Sequence, residues 1–140
     1  MRRVVLDTNV IVSGLRSQRG AAFRVLSLVG SGLFEHCLSV ALAFEYEDAV
    51  KRPASKVRLP KSVVENILDF LCASARQQKI HFLWRPVLVD AKDDMVLEVA
   101  IHGGCEAIVT YNIKDFRGSQ RFGIKAIRPQ EFLELIGGKT

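Results

Sequence analysis

Val4-Val5-Leu6-Asp7-Thr8-Asn9 is the stretch from which the fold can be read. An apolar, β-branched run reads as a strand buried on both faces, the pattern of a parallel sheet covered by helices. The run stops abruptly at a carboxylate, a hydroxyl and an amide. These are poor residues for a buried strand and good ones for the loop after it. In parallel α/β sheets, ligands bind just outside the carboxyl ends of the strands. Asp7 therefore stands where an active-site carboxylate would be placed, although a lone Asp there also serves as a simple cap for the next helix or turn.

Outward from this strand, Ile11-Val12 reads as a short apolar turn that gives way to Ser13-Gly14. A helix is expected over residues 21 to 30, where Ala22, Val25, Leu26 and Val29 recur at helical spacing and Gly30 and Gly32 suit the end. Leu33 to Leu38 reads as the second strand, and Ser39 as the N-cap of a helix that runs to Arg52 and stops at Pro53. Pro60 opens the longest helix, to about Gln78, with an apolar stripe (Val63, Val64, Ile67, Leu68, Leu71) wide enough for a core or subunit contact. A third strand is expected within Ile80 to Val89. The acidic cluster Asp90-Ala91-Lys92-Asp93-Asp94 starts a helix over residues 93 to 102, ended by Gly103-Gly104. Ala107-Ile108-Val109 and Ile124 to Ile127 are the fourth and fifth strands, and Pro129 opens the last helix. Strands alternate with helices throughout. The expected class is α/β, a single domain over residues 1–140 with a mainly parallel sheet of about five strands and helices on both faces.

Composition narrows the function. A chain of 140 residues, 49% hydrophobic and 25% charged, can bury a full core and is not of the disordered type. No apolar run approaches the ~20 residues that span a bilayer. Behind Met1-Arg2-Arg3 only Val4-Val5-Leu6 precede Asp7, which is no signal peptide, so a cytoplasmic location is expected. Cys37, Cys72 and Cys105 are scattered and contain no C-x-x-C, so they read as reduced core residues, not a disulfide framework or zinc site. His36, His81 and His102 form no ligand pair at helical spacing. The net charge of +5 permits a polyanionic partner without requiring one.

Two strands end in the same chemical style. Asp7-Thr8-Asn9 follows the first, and Thr110-Tyr111-Asn112, with Asp115 just beyond, follows the fourth. The cluster at 90 to 94 begins a helix whose N-terminus faces the same sheet edge. The helix dipole favours acids there, so Asp93 and Asp94 also read as capping residues. A further carboxylate is expected from the helix at 40 to 52. Glu45 borders its apolar face of Leu42, Tyr46 and Ala49, while Glu47 and Asp48 remain open choices on helical geometry. Converging carboxylates repel one another, and a divalent cation removes the conflict. Oxygen-only ligands suit Mg²⁺ or Mn²⁺, and an ion held by few carboxylates keeps waters, one of which can attack a phosphodiester. Outside the acids, Arg16, Arg19, Lys51 and Arg52 are candidates for phosphate contact. Tyr111, Phe116 and Trp84 are candidates for base stacking, though core packing is the plainer role for Phe116 and Trp84.

The joint set Leu6-Asp7-Thr8-Asn9, Leu38-Ser39-x-x-Leu42-x-x-Glu45-Tyr46, Asp90-x-x-Asp93-Asp94-x-x-x-x-x-Ala100 and Thr110-x-Asn112-x-x-Asp115-Phe116 resembles the PIN domain family. Within it, the likeness is to the toxin components of toxin–antitoxin systems related to VapC-type toxins. The resemblance spans essentially the whole chain. It implies a three-layer α/β/α fold and a Mg²⁺- or Mn²⁺-dependent endoribonuclease. It also implies an RNA substrate, a protein antitoxin as partner, and a homodimer. Carried over by position, Asp7, Glu45, Asp93 and Asp115 would be the catalytic metal ligands, with Asp94 the alternative to Asp93. Thr8, Asn9, Asp94, Thr110 and Asn112 would support them.

Two other readings compete. One is a PIN-fold regulatory module that binds RNA or antitoxin with little turnover. The other is phosphoryl transfer through an aspartyl-phosphate, but a haloacid-dehalogenase-like phosphatase wants D-x-D after the first strand, and residue 9 is Asn. A receiver domain wants an early acidic pair and a phosphoacceptor Asp after a middle strand, and neither is evident.

Overall fold

In the computed structural model, which describes residues 1–79, 88 and 90–137, the opening strand β1 (Arg2–Leu6) lies at the centre of the sheet. Val4, Val5 and Leu6 are fully buried, as a strand covered on both faces requires. β1 pairs in parallel with β2 (Phe34–Leu38) on one side and β4 (Ala107–Val109) on the other. Beyond them lie β3 (Arg76–Gln77) and β5 (Lys125–Ile127), giving the order β3-β2-β1-β4-β5 with every pairing parallel. The α/β class and the parallel sheet expected from the sequence are thus present.

The strand order locates the site. The chain builds outward from β1 to β2 and β3, then returns to place β4 on the other flank of β1. The switch point is the gap between the carboxyl ends of β1 and β4, where open α/β sheets bind ligands. Asp7 follows one of these strands and Thr110 the other.

Helices α1 (Thr8–Arg16) and α2 (Ala21–Ser27) connect β1 to β2, and α3 (Val40–Lys51) and α4 (Lys61–Ser74) connect β2 to β3. α5 (Ala91–His102) precedes β4, a 3₁₀ segment over Ile113–Phe122 precedes β5, and α6 (Pro129–Leu135) follows it. Ser39 caps α3 as expected, its Oγ accepting from the Leu42 N–H at 3.1 Å. Phe132 and Leu133 of α6 are buried, and Phe132 meets Phe34 edge-on with ring centroids 4.9 Å apart.

Three expectations are corrected. Residues 8 to 16, read in part as a short apolar turn, form a helix. β-branched residues and Gly14 make its intrinsic propensity low, but Val10, Ile11 and Gly14 fall on one buried face, and packing outweighs propensity. Gly14 is there because α2 crosses close by: a Cβ would meet Leu26 Cδ1 at 2.4 Å and the Ala22 carbonyl carbon at 3.3 Å. α2 stops at Ser27, short of residue 30, and the chain turns through Gly30 at φ +83°. α4 stops at Ser74, and Arg76–Gln77, read as its last turn, is an edge strand beside Cys37 and Leu38. The strand expected within 80 to 89 lies outside the described residues except for Leu88, which is buried.

Cys37 and Cys105 are buried free thiols, but Cys72, expected in the core, is exposed, because the buried face of α4 is the one that carries Val64, Leu68 and Leu71. Among the described residues no helix is long and apolar enough to cross a membrane.

Candidate active site

Asp7 is both a cap and a site residue, which the sequence presented as alternatives. As N-cap of α1 it takes the Thr8 N–H on Oδ1 at 2.8 Å, while Oδ2 accepts from the Thr110 hydroxyl at 2.7 Å. Its backbone continues the sheet by one bond, Asp7 N–H to Val109 C=O at 2.9 Å. The carboxylate is therefore held from β1, α1 and β4 together.

Thr110 is fully buried and makes the centre of this network. Besides donating to Asp7, its Oγ1 accepts from the Asn112 N–H at 3.0 Å and faces Asn9 Nδ2 at 3.4 Å. Asn9 Oδ1 accepts from the Tyr111 N–H at 3.3 Å. The two polar strand ends that looked alike in sequence are thus hydrogen-bonded to each other across the switch point.

Around them opens a cavity of about 370 Å³ lined by Asp7, Glu45, Asp93 and Asp115, together with Thr8, Asn9 and Asn112. Its acids come from four separate segments: the end of β1, α3, the start of α5 and the 3₁₀ segment after β4. Glu45 reaches it because Tyr46, the next residue, is buried with its hydroxyl donating to the Leu6 carbonyl. That bond sets the rotation of α3 against β1. Glu47 and Asp48 consequently face elsewhere, paired with Lys51 and Arg52. On α5, Asp93 lines the cavity whereas Asp94 is buried and accepts from the Leu88 N–H at 2.9 Å, a structural bond. Asp90 caps α5 through the Lys92 N–H at 2.8 Å and also borders the cavity.

Of the basic candidates, Arg16 and Arg52 line the same cavity. Lys51 lines a neighbouring one with Pro53, Val57 and Lys61, and Arg19 is exposed beyond the end of α1. Phe116 is buried in the core, Tyr111 is exposed, and Trp84 lies outside the described residues. Sequence reasoning missed that Lys92 lines the cavity and that Tyr46 ties α3 to the Leu6 carbonyl behind it. Tyr46 passed for an ordinary apolar-face aromatic, and Lys92 was hidden inside an acidic run.

The electrostatics mark an uncompensated cluster. Burial raises the Asp7 carboxyl; the hydrogen bonds from Thr110 and Thr8 counter it, and Asp115 and Glu45 add to the rise. Asp93 is pushed up to about 6, first by burial and then by the charges of Asp7, Asp115, Asp90 and Asp94. Oxygen donors of this kind fit a hard cation, whose charge would relieve that repulsion. Among the described residues no three Asp, Glu, His or Cys side chains are gathered tightly enough to enclose one ion by themselves. A cation here would have to keep water in its shell, as Mg²⁺ does when one or two carboxylates hold it.

A family model described as PIN domain matches residues 3–114, and the chain belongs to that family. No curated protein matches it. PIN domains are generally nucleases that use divalent metals, so the fold is of nuclease type and its substrate class is nucleic acid. Asp115 lies one residue past the matched span and joins the site by geometry.

Proposed function

We propose that this chain is a Mg²⁺- or Mn²⁺-dependent endoribonuclease in which Asp7, Glu45, Asp93 and Asp115 hold the metal. The observation that carries the reading is the convergence of these four acids, from four segments, on one cavity at the switch point of the sheet. Bound there, the cation would neutralise the acids and polarise a phosphodiester for hydrolysis. The protein's own part is to position and to attract. Thr8 and Thr110 hold Asp7 in one orientation, so its ordering cost is met on folding. Tyr46 anchors the helix that presents Glu45. Asp93, with its carboxyl raised to about 6, is still mostly ionised at neutral pH and so presents a charged oxygen to a cation there. Arg16 and Arg52 on the cavity wall offset the repulsion that the acids exert on an RNA backbone.

The test is cleavage of a mixed RNA pool in Mn²⁺, in Mg²⁺ and in EDTA. Wild type should cut in either metal and not in EDTA, while Asp7→Asn should be inactive in all three. Uncut RNA with wild type, or equal cutting by the mutant, sinks the reading.

A toxin role within a toxin–antitoxin pair is proposed on the motif resemblance. It predicts growth arrest on expression of wild type and none with Asp7→Asn. A homodimer is proposed through α4, whose Val63, Ile67 and Phe70 form an apolar groove with Leu15, Phe23 and Leu26. Sedimentation at micromolar concentration tests it, a monomer counting against it.

A further inference from the structure

Lys92 makes the one ion pair that any of the five cavity acids has among the described residues. Its ammonium stands 3.5 Å from Glu45 Oε1, and the two side chains are 54% and 15% exposed. The backbone of Lys92 is fixed, its N–H bonded to the Asp90 cap in the first turn of α5. Side chains on a helix lean toward its N-terminus, which aims this one across the cavity mouth. The side chain is thus held at its base and exposed at its tip.

Among the described residues, the other cations near the site pair with none of the cavity acids. Arg52 is committed to Asp48, Lys51 to Glu47 and Glu65, and Arg16 lines the wall at the end of α1. The Lys92 end of the pair is more than half exposed although Glu45 is largely covered, and the four-carbon stem lets the ammonium exchange one oxyanion for another. A nucleic-acid strand with a phosphodiester at the acids would carry flanking phosphates past the tip of Lys92.

We propose that Lys92 is a phosphate-positioning residue: its ammonium rests on Glu45 when no strand is bound and moves to a backbone phosphate of the strand when one is. The proposal rests on the ribonuclease reading above. It assigns Lys92 to strand placement, with no proton or bond transfer of its own.

The test uses the full chain as wild type, Lys92→Gln and Lys92→Arg, each checked for folding by circular dichroism. RNA affinity is read by fluorescence anisotropy in Ca²⁺ over a salt series, with the RNA shown intact afterwards, and cleavage kinetics are read in Mn²⁺. Lys92→Gln should weaken binding about tenfold for any sequence and reduce the log–log salt slope by about one, the mark of one lost phosphate contact. It should raise KM while leaving kcat within about threefold, and Lys92→Arg should restore affinity and slope. Affinity and slope unchanged in Lys92→Gln, with wild type binding and cutting RNA, overturn the proposal and leave the ribonuclease reading standing. A fall in kcat with affinity unmoved also overturns it, since Lys92 would then act through Glu45. Wild type that neither binds nor cuts RNA overturns the ribonuclease reading and this role with it.

Discussion

Thr110 shows how one buried hydroxyl can set the chemistry of a carboxylate. It donates to Asp7 Oδ2 while accepting from the Asn112 N–H, so it fixes an acid and a strand end together. Thr110→Val keeps the shape and removes the hydroxyl. Both partners lose a buried bond, which costs about 1–3 kcal/mol of stability. The Thr110 bond lowers the Asp7 carboxyl, so its loss lets burial raise that group further. Divalent-cation affinity should fall ~10–100-fold, as for other groups that orient a metal ligand, and should recover on raising the pH. Calorimetric titration with Mn²⁺ across pH checks this, with Thr110→Ser expected to behave as wild type. In sequence, Asp7 and Thr110 were legible separately, as polar residues at strand ends. Their bond was not, because it spans 103 positions.

Helix α3 carries the element-scale lesson. Helical periodicity puts Glu45 at one border of the apolar face, Glu47 near the opposite border and Asp48 further out, and does not choose among them. The Tyr46 hydroxyl on the Leu6 carbonyl decides among them by fixing the helix's rotation. Tyr46→Phe should lower stability by about 1–2 kcal/mol in denaturant unfolding, the worth of a buried hydrogen bond. It should also weaken Mn²⁺ binding, because α3 loses its tie to the strand that carries Asp7. Unchanged Mn²⁺ affinity would mean that packing alone orients Glu45. α1 makes the converse point: its sequence is a poor helix, and only the close passage of α2 over Gly14 explains the residue.

At the scale of the molecule, a buried histidine and a partly buried aspartate pull stability in opposite directions with pH. His36 on β2 is 2% exposed and, with burial disfavouring its charged form, is lowered from 6.5 to about 4. Between pH 4 and 6.5 the unfolded chain binds the extra proton, so this histidine makes stability rise with pH across that window. Asp93 is raised from 3.8 to about 6, so there the folded chain binds the extra proton and stability falls as pH rises. Wild type should therefore show a muted pH profile. Replacing His36 by Leu removes one side of the balance: the variant should gain about 3 kcal/mol on wild type between pH 7 and pH 4, read by denaturant unfolding. A constant difference across pH would show that His36 is not held neutral.

Local pattern alone determined the class of the fold, the polar strand ends, the cap at Ser39, the helix start at Pro129, and the acids worth considering. These follow from burial periodicity and backbone chemistry, which act over a few residues. Tertiary structure alone decided the helix at Thr8–Arg16, the choice of Glu45 and Asp93 over their neighbours as cavity-lining acids, and the place of Lys92 against Glu45. Each of these depends on how one element is rotated or pressed against another. That is settled by contacts between residues far apart in the chain, which no local pattern records.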